Sequence, residues 1–213
     1  KKMHDNFEWY KDGVKALLGR GDAVNGIRGV VADVIEPEPG FEPALEAALG
    51  ESLQYVLVHD QAAGIDNISY LRDTGAGRSG FIPLSGPGLA DVSPAPKIED
   101  PNLLMHHVSS RPDAASICSL LLGDIAVAED LDAALKLRDI PYPYRKVVSR
   151  QGDVIMAGGV MVGGSKDRLS GIFEKKRALK ELKSELDRLD EALETERNTQ
   201  IALETAIKGF ETD

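Results

Sequence analysis

The chain has 213 residues, of which 42% are hydrophobic and 28% charged, a composition ordinary for a globular protein of one sizeable domain or two small ones. Its net charge is −10, no apolar run approaches the roughly 20 residues needed to cross a membrane, and the single Cys118 excludes an internal disulfide and a cysteine-built zinc site. With no signal-peptide pattern, these features predict a cytoplasmic protein that has no membrane partner.

The first residues carry an apolar stripe at helical spacing. Its members step by four and three residues, with charged residues between them: Met3, Phe7, Tyr10, Val14 and Leu17. A mean step of about 3.5 residues is typical of a coiled coil. The stripe therefore predicts an N-terminal coiled-coil arm over residues 1–19.

The next stretch, residues 20–100, alternates strand and helix patterns. The predicted elements are a strand at 26–35, a helix beginning at Pro43, a strand at 54–58, a helix capped by Asp60 that runs to about 73, and a strand at 79–84. A segment rich in proline, glycine and serine follows at 85–101. Because such segments separate compact regions, we expect a subdomain boundary there.

A second mixed stretch covers residues 101–168. The predicted elements are a strand at 103–108, a helix near 113–122, a strand at 125–128, a helix capped by Asp130 that runs to about 139, and strands at 144–149 and 153–162. The middle of the chain is therefore predicted to be an α+β (mixed α/β) insert of two subdomains, 20–100 and 101–168.

The last part of the chain, residues 169–213, has a longer apolar stripe. From Ile172 to Phe210, nine of twelve positions spaced by three and four residues are apolar, and the segment contains no proline. This pattern predicts a C-terminal coiled-coil arm that runs antiparallel to the first arm. Since the chain begins without a natural start and stops within this pattern, we expect a piece of a longer protein.

Two glycine pairs lie in "VIMAGGVMVGGSK", where the pattern otherwise predicts a strand. From Gly158 the spacing resembles the phosphate loop G-x-x-x-x-G-K-[ST], but Gly164 stands where that motif needs lysine. The segment "GAGRSG", beginning at Gly75, matches G-x-G-x-x-G, yet a helix is predicted before it and a strand after it, the reverse of a dinucleotide site. Neither segment therefore predicts nucleotide binding.

Other candidate chemistry is equally weak. His106 and His107 are adjacent in a predicted strand, so their side chains are expected on opposite faces and do not form a metal site. Cys118 lies in an apolar helix pattern, where a buried, unreactive thiol is the expected state. We therefore expect no catalytic residue, no metal, no cofactor and no small-molecule substrate.

The glycines are better explained by close approach of another backbone. Apolar side chains flanked by residues without side chains would let a second subunit lie flush against this strand. The predicted dimer interface consists of Gly158, Gly159, Val160, Met161, Val162, Gly163 and Gly164.

Charge is unevenly distributed along the chain. Residues 26–165 hold 10 basic and 19 acidic residues, which would repel nucleic acid, whereas residues 166–183 carry a local charge of +4. The basic residues of this segment include Lys166, Arg168, Lys175, Lys176 and Arg177. A solvated helix face explains the same charges without any partner.

Taken together, the coil, α/β insert and coil, with "GIRGVVADVIEPEPGFEPALEAALGESLQYVLV", "AGRSGFIPL", "LLGDIAVAEDLDAALKL" and "YRKVVSRQGDVIMAGGVMVGGS", resemble the hinge domain of SMC (structural maintenance of chromosomes) proteins, most of all bacterial ones. The resemblance covers about residues 20–165. It implies a homodimer in which two hinges join two SMC chains of a chromosome-organising ATPase, with the glycine pairs at the hinge-hinge interface.

The resemblance also implies a role in chromosome condensation and segregation, in a cytoplasmic, nucleoid-associated protein whose ATP site belongs to head domains outside this sequence. Hinges of this family contact DNA, often through lysines where hinge meets coil. The alternative function that the resemblance implies is therefore sequence-independent DNA binding at the basic junction that follows Gly164, with the candidate DNA-binding residues Lys166, Arg168, Lys175, Lys176 and Arg177.

Overall fold

The computed structural model describes residues 10–20, 26–87, 89, 100–138, 144–164 and 171–210, with side chains described as far as residue 203. The chain divides into two compact units, residues 1–173 and 174–213. Most of the segment 85–101 lies outside the described residues, so the subdomain boundary at residue 100 stays a prediction.

The first sheet contains three strands in the order β1 (Ile27–Val30), β3 (Val56–Val58) and β4 (Phe81–Pro83). β1 is antiparallel to β3, whereas β3 and β4 are parallel and joined by helix α4 (Gln61–Thr74). Asp60 caps α4, as predicted, because its carboxylate accepts the N–H of Ala63 at 2.8 Å.

A second sheet pairs strands from the two predicted subdomains. β2 (Ile35–Pro37) lies antiparallel to β5 (Val108–Ser110). The continuous strand predicted over 26–35 is wrong, because a single helical turn, α2 (Val31–Val34), separates β1 from β2. The pairing of β1 with β3 is irregular at Gly29, whose φ is +130°. The pairing continues past this irregularity as far as Val30, which lies opposite Val56.

The third sheet has the order β6 (Ile125–Ala128), β7 (Lys146–Ser149), β8 (Val154–Met156) and β9 (Met161–Val162). β6 and β7 are parallel, and β7, β8 and β9 are successively antiparallel. Helix α6 (Leu131–Arg138) follows β6, and the Asp130 carboxylate accepts the N–H of Ala133 as predicted. At the β6 end of the sheet, Leu103 forms an antiparallel bridge with Ala126.

Helices α3 (Glu42–Leu49) and α5 (Ala115–Leu122) contribute to the main core, and shorter 3-10 turns cover Gly50–Gln54, Leu104–His107 and Pro112–Ala114. The main core draws buried residues from both predicted subdomains, among them Leu45, Leu57, Ile117, Ile125 and Val148. The mixed α+β fold is thus confirmed. The strand predicted at 103–108 is wrong, since its first part is a 3-10 turn and β5 begins only at Val108.

Helix α1 (Asp12–Leu18) belongs to a second apolar cluster. Tyr10, Val14 and Leu17 of the predicted arm are buried there with strand residues such as Val30 and Val56. Met3 and Phe7 lie outside the described residues. The described part of the apolar stripe therefore packs on the globular unit, and the N-terminal coiled-coil arm over residues 1–19 stays a prediction.

Helix α7 (Ile172–Phe210) has 39 residues and a length of about 58 Å. Its first two residues are buried in the main core, whereas four stripe leucines are between 55% and 67% exposed: Leu182, Leu186, Leu189 and Leu193. The predicted C-terminal helix is confirmed, and its pairing in a coil stays a prediction. No helix in the described part of the chain is long and apolar enough to cross a membrane.

Candidate functional site

The first glycine pair forms a hairpin turn between β8 and β9. Met156 donates its N–H to the carbonyl of Val160 at 2.9 Å, and Gly159 donates to the carbonyl of Met156 at 2.8 Å. The loop therefore consists of Ala157, Gly158 and Gly159, and Gly159 has a φ of +82°, which favours glycine in a three-residue hairpin loop. The single strand predicted over 153–162 is wrong, because this turn divides it.

The second glycine pair ends β9. A Cβ added at Gly163 would lie 2.3 Å from Oδ1 of Asp153, so a side chain there would displace that carboxylate. Gly164 has a φ of +123°, which L residues rarely adopt, although nothing within 4 Å would obstruct a Cβ. The group close to Gly163 is thus Asp153 of the same chain, the residue before β8. At Gly158 and Gly164, by contrast, an added Cβ would meet no atom within 4 Å.

The hairpin presents an exposed apolar edge. Val160, Met161 and Val162 are 56%, 63% and 54% exposed. On one side β9 pairs with β8, where Met161 lies opposite Ile155 and Val162 opposite Val154. On its other side, β9 has no strand neighbour among the described residues. We call residues 158–164 the open edge.

The glycines of "GAGRSG" have separate structural roles, with α4 before them and β4 after them as predicted. Gly75 ends α4 in the left-handed conformation, with φ +63°. A Cβ added at Gly77 would lie 3.2 Å from the backbone nitrogen of Gly13, and one at Gly80 would lie 2.5 Å from the Tyr55 ring. The motif is therefore accounted for by a helix end and two close contacts.

The candidate DNA-binding residues are only partly within the described chain. Lys166 and Arg168 lie outside it, whereas Lys175, Lys176 and Arg177 lie in the first turns of α7. Lys175 and Arg177 are exposed, Lys176 is half-buried, and Arg177 approaches Glu181 at 3.9 Å. Three consecutive helical residues point in different directions, so these three do not form one basic surface.

A different set of lysines does share one helix face. Lys176, Lys180 and Lys183 are spaced by four and three residues, so they lie on adjacent turns of α7. We call these three residues the lysine face. Lys175 instead shares the spacing of Leu179 and Leu182 in the apolar stripe. The helical period of the sequence alone therefore distinguishes the lysine face from Lys175, which lies with the apolar stripe.

Other polar groups have structural partners. The His107 ring stacks on Phe41 with a centroid separation of 4.0 Å, and its Nδ1 lies 2.8 Å from a Glu38 carboxylate oxygen. Burial raises the pKa of the Cys118 thiol, which disfavours the reactive thiolate. Within the described ranges, no group of three or more His, Cys, Asp or Glu side chains could hold a metal ion.

Comparison with known sequences gives a family for this architecture. The sequence-family model of the SMC proteins flexible hinge domain matches residues 24–138. The chromosome partition protein Smc of Myxococcus xanthus is 35% identical over 199 residues, and that of Bacillus subtilis is 30% identical over 200 residues. Each match covers 89% of this chain but 16% of the relative, so the chain spans about a sixth of the length of these curated relatives.

Solved structures agree with this assignment. An asymmetric dimer of the Geobacillus stearothermophilus SMC hinge domain is similar with a TM-score of 0.73 and 27% identity, over 89% of this chain and 79% of that chain. The Pyrococcus furiosus SMC hinge domain shares the fold, with a TM-score of 0.57 and 22% identity over 72% of this chain and 80% of that chain. With a family match over more than half its length, the chain belongs to the SMC flexible hinge domain family.

Proposed function

We propose that this hinge is a self-association module that joins two copies of its chain through the open edge. The observation that carries the proposal is the exposure of Val160, Met161 and Val162 on a strand whose outer side has no neighbour among the described residues. An edge strand offers unpaired backbone N–H and C=O groups, which a strand of a second copy can pair with.

The chemistry of the edge favours a protein partner. The segment from Gly158 to Gly164 contains no charged side chain, and depletion of charge is typical of the centre of a protein interface. Its apolar side chains stand next to glycines, which allow a second backbone to come close. Burying them would remove apolar surface from water and would stabilise the association.

The relatives support the same proposal. The Geobacillus stearothermophilus hinge domain is a dimer, and the related full-length chains are chromosome partition proteins. We propose that the present chain likewise joins two SMC chains into one homodimer that contributes to chromosome condensation and segregation at the nucleoid, in the cytoplasm. Its action is adhesion without catalysis, and the ATPase activity would belong to head domains of the full-length protein.

The test compares Met161→Lys with Leu120→Lys in the whole chain. Leu120 is a matched control because it is also an exposed apolar residue, at 44%, but belongs to α5. Each of the two changes is made in a separate protein that also carries Leu186→Lys and Leu193→Lys. These two background substitutions interrupt the apolar stripe of α7 and prevent association through that helix. Sedimentation equilibrium then reports the mass in solution.

We expect Met161→Lys to weaken the dimer about tenfold or more, since a charge replaces a central apolar contact, whereas Leu120→Lys leaves the dimer intact. An undiminished dimer in the Met161→Lys protein would contradict the proposal, and so would an equal loss in both proteins. Unchanged melting temperatures show that the folded state survives each substitution.

A second candidate function is sequence-independent DNA binding. The observation in its favour is the lysine face, which places Lys176, Lys180 and Lys183 along one side of α7. Lysines act on phosphates mainly through charge, so binding of this kind does not depend on base sequence. It should therefore weaken steeply with added salt and on charge reversal of the three lysines.

A further inference from the structure

A buried carboxylate lies where the long helix begins. Glu46, on α3, is 9% exposed. Its Oε2 accepts the backbone N–H of Gly171 at 2.6 Å, and its Oε1 accepts that of Phe173 at 3.1 Å. The contact joins residues that are 125 and 127 positions apart in the sequence.

This arrangement matches the needs of a helix start. The first N–H groups of any helix have no acceptor within the helix, and negative charge near that end is favourable. α7 begins at Ile172, so both bonds go to amides of its first turn or the residue before it. Gly171 has a φ of +87°, which marks the point where the backbone changes direction into the helix.

The two hydrogen bonds also stabilise the buried carboxylate of Glu46. A buried carboxylate without hydrogen-bond partners is costly, because it has lost its hydration. Ile172 and Phe173 are 2% and 5% exposed and belong to the same core cluster as Leu45 and Leu49 of α3. The apolar contacts and the two bonds therefore fix the same three residues, 171–173.

α3 also provides a natural comparison. Glu42 lies on the same helix and is 7% exposed, but its Oε2 accepts the N–H of Gly40, only two residues away. Glu42 thus accepts a bond from a backbone group beside its own helix, and Glu46 accepts two from the start of α7.

We propose that Glu46 determines the residue at which α7 begins and keeps the first turn of that helix closed. This proposal concerns only the contact between α3 and residues 171–173. It does not depend on self-association through the open edge.

The test uses hydrogen exchange of backbone amides in the full chain, followed by ¹⁵N NMR at Gly171 and Phe173. Glu46→Gln keeps the size of the side chain but removes its charge, and one end of the amide can no longer accept a bond. Glu42→Gln is the matched control on the same helix. Amides of β3 serve as an internal reference for global opening.

We expect exchange at Gly171 and Phe173 to become faster by roughly 10- to 100-fold in Glu46→Gln, relative to the β3 amides, because bonds to a charged acceptor are removed. Glu42→Gln should leave these two amides unchanged relative to β3. Unaltered exchange in Glu46→Gln, or an equal acceleration in both variants, overturns the proposal.

If Glu46→Gln does not fold, Glu46→Asp is compared with Glu42→Asp in the same way, since the shorter side chain keeps its charge but withdraws the carboxylate. The same expected and overturning outcomes apply. Sedimentation of each variant separates the two proposals, because loss of protection at residues 171–173 with an intact dimer concerns Glu46 alone.

Discussion

Gly163 and Asp153 are in such close contact that a Cβ on the glycine would lie 2.3 Å from the Asp153 carboxylate. Displacing the carboxylate would disturb a hydrogen bond, because its other oxygen accepts the Ser149 hydroxyl at 3.0 Å. Gly163→Ala should therefore lower the free energy of unfolding by about 1 kcal/mol or more, as urea denaturation would show. Gly158→Ala is the control, since nothing lies within 4 Å of its added Cβ, and its change should stay within about 0.5 kcal/mol. Equal effects at the two positions would contradict the assignment of the contact.

The buried hydroxyl of Tyr10 should make the folded chain less stable at high pH. Its hydroxyl donates to Asp33 at 3.2 Å, and burial followed by the negative charge of Asp33 raises the pKa of Tyr10. In the unfolded chain the phenol ionises near pH 10, whereas in the folded chain it stays protonated, so unfolding becomes more favourable as pH rises above about 10.

The Tyr10→Phe variant removes this ionisation. Urea unfolding of both proteins between about pH 8 and about pH 11 should show the wild type losing stability relative to the variant at the upper end. Parallel curves over the whole interval would refute the raised pKa. Far-UV circular dichroism at each pH confirms that both start from the folded state.

The aromatic contacts of Phe41 are expected to contribute measurably to the free energy of unfolding. Its ring stacks on His107, and the guanidinium carbon of Arg150 lies 4.5 Å from the ring centroid. Phe41→Leu keeps an apolar side chain but removes both aromatic contacts, so we expect a loss of about 1 kcal/mol in urea denaturation.

A double-mutant cycle with Arg150→Met separates the contribution of the guanidinium. The two substitutions should be non-additive by about 0.5 kcal/mol or more, because each removes the same contact. Full additivity would show that the Arg150 contact contributes nothing. Arg150 also pairs with Glu129 at 3.1 Å, and that pair is removed equally in both backgrounds, so it cancels in the cycle.

The lysine face predicts salt-dependent DNA binding. Reversing Lys176, Lys180 and Lys183 to glutamate should weaken binding of single- or double-stranded DNA and reduce the dependence of log K on log salt by roughly 0.7 to 0.9 for each phosphate that a lysine no longer neutralises. Fluorescence anisotropy at several salt concentrations measures both quantities.

Lys136→Glu provides the control, because Lys136 is an exposed lysine on α6. The control should bind like the wild type. Absence of binding by the wild type at low salt would dismiss the DNA function. Lys136→Glu changes one charge where the triple variant changes three, so a loss of binding free energy one third as large in the control would mean that only the total charge matters.

Elements with strong local signals could be predicted from the sequence. The caps at Asp60 and Asp130 fix the starts of two helices through a carboxylate bond to the third residue on, and such bonds depend on neighbouring residues alone. The 3.5-residue period predicted the long helix from Ile172 to Phe210 for the same reason. These signals are local, so distant parts of the chain do not override them.

The errors arose where distant contacts or turn chemistry decided the structure. The strand predicted at 103–108 begins instead with a 3-10 turn, and β5 pairs with the distant β2, a contact that the local pattern does not reveal. In "MAGGV" a strand prediction missed a three-residue hairpin turn, although a glycine pair is a known signal for one. The bonds from Glu46 to residues 171 and 173 span most of the chain, and no local pattern predicts them.

The Leu103–Ala126 bridge has a consequence for how many copies can assemble. It occupies the outer side of β6, so the third sheet is covered at that end and leaves β9 as its open end. In the proposed association β9 of one copy would meet β9 of the other, so each copy would use the same surface, and the described part of the third sheet would offer no second open strand for further growth. Association by this route would close at two molecules, which separates a linker between chains from a strand that polymerises into a filament.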